Sequence, residues 1–165
     1  AGQGGAGPCP SGEWGRAARV ADFWWAARPD PGLCGIAARG VLRDPATLRG
    51  QVERMLADEK ADTLGTVFAA QWLGFRHVGT RIWLDPIDNP WCTAALMTAM
   101  RDESTLFFLS LLRDNQPIGR LIDADYTYVN AELATTLYGM DGVEGDHMRR
   151  VSLDDPNRGI GRAHV

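Results

Sequence analysis

No apolar run in this chain approaches the ~20 residues that a bilayer-spanning helix needs. The greasiest stretch, Leu106 to Leu112, is seven residues long and is interrupted by Ser110. The region after Ala1 lacks the basic-then-apolar order of a signal peptide, and a mature exported protein reads the same way. Cysteine is scarce. Cys9, Cys34 and Cys92 are far apart and form no C-x-x-C, which argues against a thioredoxin motif and a zinc ribbon. Without C-x-x-C-H, no c-type haem is expected on this chain. At most one disulfide can form, and small buried thiols are the simpler reading. A basic excess is missing too: 17 Lys and Arg stand against 21 Asp and Glu, a formal charge of −4, so nucleic acid is not an expected partner. His77, His147 and His164 show neither H-x-x-x-H nor H-E-x-x-H spacing. There is no G-x-S-x-G elbow, and the glycines near the start precede no strand, so they make no phosphate loop.

What is present reads as helices. The Gly- and Pro-rich residues 1–12 are expected to be a flexible end, because they bury too little to offset their ordering entropy. Residues 13–157 are expected to form one helical domain, and 158–165 a truncated or mobile tail. Val20, Phe23, Trp24 and Ala27 have helical spacing. Asp30-Pro31 and Asp44-Pro45 each pair a capping carboxylate with a proline that has no amide to leave unsatisfied. Leu48, Val52, Met55 and Leu56 follow on one face, then Leu64, Val67, Phe68, Gln71 and Trp72 on another. Asn89-Pro90 reads as the start of the longest helix, which Asp114 to Pro117 stops near Arg113. Tyr126 to Val129 reads as extended, Asn130 as a helix cap and Gly139 as a stop, with a further extended stretch from Met148 to Leu153. The expected fold is a mainly α, compact multi-helix domain of about six helices with an irregular C-terminal segment.

The most informative stretch for function is Asp123 to Gly139. Asp123 and Asp125 invite a calcium reading, but an EF-hand loop wants glycine at its sixth place and a carboxylate at its twelfth. Those places hold Tyr128 and Ala134, so the aspartates read as turn and cap residues and no metal is expected. Tyr126 and Tyr128 could line a sugar or a base, but they read first as core tyrosines whose hydroxyls find a partner. Glu103, close to the apolar face of its helix, reads as half of a buried ion pair with Arg76 or Arg120, ahead of a catalytic acid. Of six tryptophans, Trp24, Trp25 and Trp72 fit helix faces and are expected to fill the core, with Trp72→Ala costing about 3–5 kcal/mol. Trp14, Trp83 and Trp91 lie near element ends and are the candidate interface.

Four blocks carry a family resemblance: Arg39 to Pro45 with Gln51 to Asp58; Phe68 to Gly74, an F-x-x-Q-W-L pattern; Met100 to Phe107, with Ser104 where threonine is usual; and Ala124 to Asn130 through Gly139. Together they resemble a helical domain of unknown function found in planctomycete-type cytochrome-like proteins. Asp22 departs from that family's first helix, and Ile160 to Val165 stand where the family continues into another domain. The resemblance therefore implies one module, or an altered remnant, of a longer protein. It implies an exported protein of the periplasm or cell envelope, c-type haem in a linked domain or partner, and other domains or subunits of an envelope assembly as partners. It implies no catalytic residues. Glu103, Asp125, Tyr126 and Asn130 match its motifs as a binding or structural polar set. The leading expectation is a non-catalytic scaffold. The alternatives are an enzyme domain with a carboxylate acid or base, and an accessory subunit of a membrane-associated electron-transfer complex.

Overall fold

The structure is a computed structural model that describes residues 11–153 except 86. Of the flexible end expected over residues 1–12, residues 1–10 lie outside the described residues, while Ser11 and Gly12 already belong to a helix; Cys9, His164 and the tail expected over 158–165 also lie outside the described residues. The chain is mainly helical, with seven α-helical segments and one two-stranded sheet among the described residues. It divides into two compact units, residues 1–64 and 65–165.

In the first unit α1 spans Ser11–Trp25, α2 Pro31–Ala38 and α3 Pro45–Ala57, followed by a 3-10 turn, Glu59–Asp62. The two Asp-Pro starts are as read: Asp30 accepts from the Leu33 amide at 3.0 Å, and Asp44 from the Thr47 amide at 2.8 Å. Asp30 also takes Arg54 at 2.9 Å, which ties the start of α2 to α3. The core is Ala17, Ala21 and Trp25 on one stripe of α1, against Leu33, Ala37, Leu42, Met55 and Ala61. This differs from the face expected of α1, since Phe23 is exposed and Val20 and Trp24 are only half-buried. Two alanines let the neighbouring helices approach closely. Trp25 alone supplies bulk there, 2% exposed, with its Nε1 donating to the Met55 carbonyl at 3.0 Å. Glu13 is also buried. Its Oε2 accepts from the Leu42 amide at 2.9 Å, and Arg43 Nε lies 3.1 Å from Oε1.

The second unit is arranged on α5, Ala94–Arg113. Before it come a π-helical segment begun at Leu64 (Leu64–Ala69), α4 (Ala70–Trp72) and a 3-10 turn (Phe75–His77). After it come α6 (Arg120–Asp123), β1 (Tyr126–Val129), α7 (Ala131–Leu133), a second π-helical segment (Ala134–Tyr138) and β2 (Arg149–Ser152). β1 and β2 pair antiparallel, Tyr126 opposite Ser152 and Val129 opposite Arg149. One cluster joins Leu96 and Ala99 of α5 to Val129, Leu133 and Ala134, and another joins Phe107 and Leu111 to Ala124 and Tyr126.

Two expectations need correction here. α5 begins at Ala94, not at Asn89-Pro90: the Cys92 amide closes a turn on the Asn89 carbonyl at 3.0 Å, and Thr93 Oγ1 then caps the helix, accepting from the Leu96 amide at 2.9 Å. Trp72 is not a core residue. A π turn bonds i to i+5, so the buried positions of this stretch are Leu64, Gly65, Ala69 and Ala70, five apart in two pairs. That change of period turns Val67, Phe68 and Trp72 outward; Trp72 is 55% exposed and stacks on Phe68, with centroids 5.9 Å apart. Glycine is needed at position 65, where a Cβ would meet Leu109 Cγ and Thr105 Cγ2 at 2.9 Å.

Trp25→Ala should therefore cost about 3–5 kcal/mol in chemical denaturation, and Trp72→Ala only about 1–2 kcal/mol, since half of its ring already meets water. Equal losses would refute the two placements. Gly65→Ala should cost about 1–3 kcal/mol by overpacking against α5; an unchanged midpoint would show that α5 can move aside.

Candidate functional site

Mid-α5, Glu103 is half-buried, and among the described residues no cation pairs with it. Its Oε1 accepts two hydrogen bonds, from Thr127 Oγ1 and from the Tyr138 hydroxyl. Thr127 is fully buried on β1, between two tyrosines that the strand's alternation points elsewhere. Tyr138 ends the second π-helical segment, and Gly139 follows with φ +60°, a left-handed stop that glycine takes without strain. Burial raises the pKa of Glu103 above its ordinary 4.5, and the Thr127 and Tyr138 hydrogen bonds hold the rise back. The expected ion pair with Arg76 or Arg120 is absent. Arg120 instead binds Asp125 at 3.2 Å and the Asp123 carbonyl at 3.2 Å, and Arg76 is exposed. A strand hydroxyl and a phenol do the work expected of a guanidinium, because both are already fixed by the packing of β1 and of residues 134–138.

The other candidates separate from Glu103. Asp125 is exposed on its ion pair with Arg120. The Tyr126 hydroxyl lies 2.9 Å from Ser110 Oγ; Ser110 donates its own proton to the Phe107 carbonyl at 2.8 Å, which leaves the tyrosine as donor. Arg150 lies 3.6 Å over the Tyr126 ring, so this tyrosine is held on its edge and its face. Tyr128 meets Tyr126 edge-on at 6.2 Å. Asn130 caps α7, accepting from the Leu133 amide at 2.9 Å. Among the described residues no three His, Cys, Asp or Glu side chains gather as a metal site would require. Cys34 and Cys92 are free thiols, both half-buried. His147 is exposed beside Asp146, and the His77 carbonyl accepts from the Arg81 and Ile82 amides in a turn.

Trp14, Trp83 and Trp91 are all exposed. Trp83 Nε1 is turned back to the Thr80 carbonyl at 3.0 Å, which leaves its ring at the surface. In the second unit Val67, Phe68, Trp72 and Leu73 are exposed as well as Trp83 and Trp91. Sequence reasoning missed Thr127, Tyr138, Ser110 and Arg150. Ser110 had a readable signal, seven residues from Glu103 on one helix face. Tyr138 had none, because a π turn shifts the face it points from.

Linkage gives Glu103 a definite sign. Its folded pKa lies above the unfolded value of 4.5, so between the two the folded state binds more protons than the unfolded state. Its contribution is fully present below 4.5 and is lost as pH rises through the folded pKa. Unfolding free energies of Glu103→Gln and the native chain should therefore diverge in favour of the variant as pH rises through that window. Parallel pH profiles would show that the carboxyl titrates alike in both states.

No curated protein and no solved structure matches the chain. A family model described as "PSD4: Protein of unknown function (DUF1592)" matches residues 13–140. That span contains all four blocks on which the resemblance rests, from Arg39 to Gly139. The chain belongs to the PSD4 family of proteins of unknown function (DUF1592).

Proposed function

We propose that this chain is a non-catalytic scaffold and interaction module of an exported, envelope-located assembly, in which c-type haem is carried by a linked domain or a partner. The observation that supports it is how the polar candidates are used. Asp125 goes to Arg120, Tyr126 to Ser110, Asn130 to an amide, and Glu103 to Thr127 and Tyr138. Each is engaged in holding the fold, and they converge on no common point where a reacting atom could sit. The surface points the same way. Trp83 and Trp91 belong to an exposed apolar stretch, the kind of side chain that anchors protein–protein contacts. No described helix is long and apolar enough to cross a membrane, so contact with an envelope assembly would run through such a surface. The second reading, an enzyme using a carboxylate as acid or base, has Glu103 alone in its favour, a carboxyl whose pKa is raised by burial.

The test is the native polypeptide from its source, examined by intact mass under denaturing conditions and by a pyridine haemochrome assay. A polypeptide carrying covalent haem, or a chain of 18.0 kDa that co-elutes with a haem-bearing subunit, is the expected result. A haem-free chain that elutes alone would overturn the proposal. Changing Trp83 and Trp91 to serine should release the haem-bearing partner without altering the far-ultraviolet circular dichroism.

A further inference from the structure

Glu103 is a half-buried carboxylate of the second unit that answers no cation among the described residues, and it joins three parts of the chain. It stands on α5, while its two donors come from β1 and from residues 134–138. Both hydroxyls go to Oε1, so a proton on this carboxyl sits on Oε2 and leaves both bonds in place. We propose that Glu103, Thr127 and Tyr138 form a proton-operated latch: with the carboxyl protonated, β1 and residues 134–138 are held closely on α5, and loss of the proton loosens both.

The physical conflict lies within the cluster. An ionised carboxylate is the stronger acceptor for the two hydroxyls, but it must also be solvated, and two hydroxyls replace only part of a water shell. Burial outweighs them here, which raises the proton affinity above that of an ordinary glutamate. The ionised state therefore gains by admitting water, and the parts that must yield are those that enclose the carboxyl, β1 and the 134–138 turn.

Charged groups on the surrounding elements do not supply the missing compensation. On α5 itself Arg101 turns to the Val78 carbonyl at 3.5 Å, and Asp102 is exposed. Arg76 and His77 belong to the turn before α5, and Glu132 of α7 accepts from Thr93. Arg120 of α6 is paired with Asp125, ahead of β1. From β2, Arg150 covers Tyr126 and pairs with Asp114 at 3.6 Å, and Arg149 donates to the Glu144 carbonyl. At Glu103 burial opposes the two hydroxyls, and burial is the larger influence.

The full chain, labelled with 13C at glutamate and 15N in the backbone, tests this by NMR across the acid-to-neutral range. The Glu103 carboxyl carbon should titrate with a midpoint above 4.5, and the Thr127, Val129 and Tyr138 amides should move with the same midpoint. Hydrogen exchange over residues 126–138, corrected for its intrinsic pH dependence, should quicken on the alkaline side of that midpoint. Thr127→Val and Tyr138→Phe should each move the midpoint upward, because each removes a donor to the ionised form. Glu103→Gln should abolish the amide titration. A midpoint at or below 4.5, amides that ignore it, or a midpoint unmoved by Tyr138→Phe would overturn the latch. Should Glu103→Gln fail to fold, the native chain and Tyr138→Phe still decide.

Discussion

Along α5, Thr105 is buried, and Phe107, Phe108, Leu109, Ser110 and Leu111 are buried one after another. Consecutive residues of a helix point about 100° apart, so a buried run of five leaves no side for solvent. Such a helix is stable only when the rest of the chain covers it on all sides. This single requirement organises the second unit. Gly65 comes close on one side, where a Cβ would meet Thr105 and Leu109 at 2.9 Å. β1 covers another side through Val129 and Tyr126, and Leu133 and Ala134 cover the N-terminal half. Both π-helical segments are used to bring short, small-residue surfaces against this one helix.

Burial along α5 restricts what its polar side chains can do. Ser104 and Thr105 return their hydroxyls to the carbonyls of Met100 and Arg101, at 3.0 and 2.9 Å, and Ser110 does so to Phe107. Glu103, when ionised, has no hydrogen to return, and its Oε1 takes donors from other elements in either state. It finds Thr127 and Tyr138 because β1 and the 134–138 turn already lie there to cover α5. The polar cluster is thus a consequence of the packing, and the same packing keeps Asp125 and Asn130 away from it.

Local chemistry was legible and distant chemistry was not. The Asp30, Asp44 and Asn130 caps each act over three residues, and the left-handed stop at Gly139 needs only its own backbone, so short patterns sufficed. The strand at Tyr126 to Val129 and the extended stretch near Met148 were readable from alternation and from missing helical spacing. Failures came where a period changed or a partner lay far off. Trp72 was misplaced because a 3.6-residue face was continued through a π turn. The start of α5 was set too early because Asn89-Pro90 resembles a cap more strongly than Thr93 does. Glu103 meets partners 24 and 35 residues away, and Glu13 reaches Leu42 across 29, separations at which no sequence pattern identifies the contact.

The blocks that carry the family resemblance acquire a physical meaning on this fold. Phe68 to Gly74 includes Ala69 and Ala70, the small surface turned inward; Met100 to Phe107 is the middle of α5; Ala124 to Asn130 is β1 with the cap of α7. Glu103 is the point where two of these pieces, the middle of α5 and β1, are tied together and to Tyr138. A motif set of this kind is a signature of one packing arrangement. A catalytic signature would instead bring unsatisfied polar groups to a shared cleft, whereas here Glu103, Tyr126 and Asn130 are turned into the packing or onto a helix terminus. The aromatics between Val67 and Trp91 are only partly used in packing: Phe68 and Trp72 meet Phe108 of α5 with ring centroids 6.2 and 6.4 Å apart, and much of their surface, like that of Trp83 and Trp91, stays exposed. If function lies in surplus chemistry, that surface is where it lies, and the Glu103 cluster sets how firmly the fold beneath it is held as pH changes.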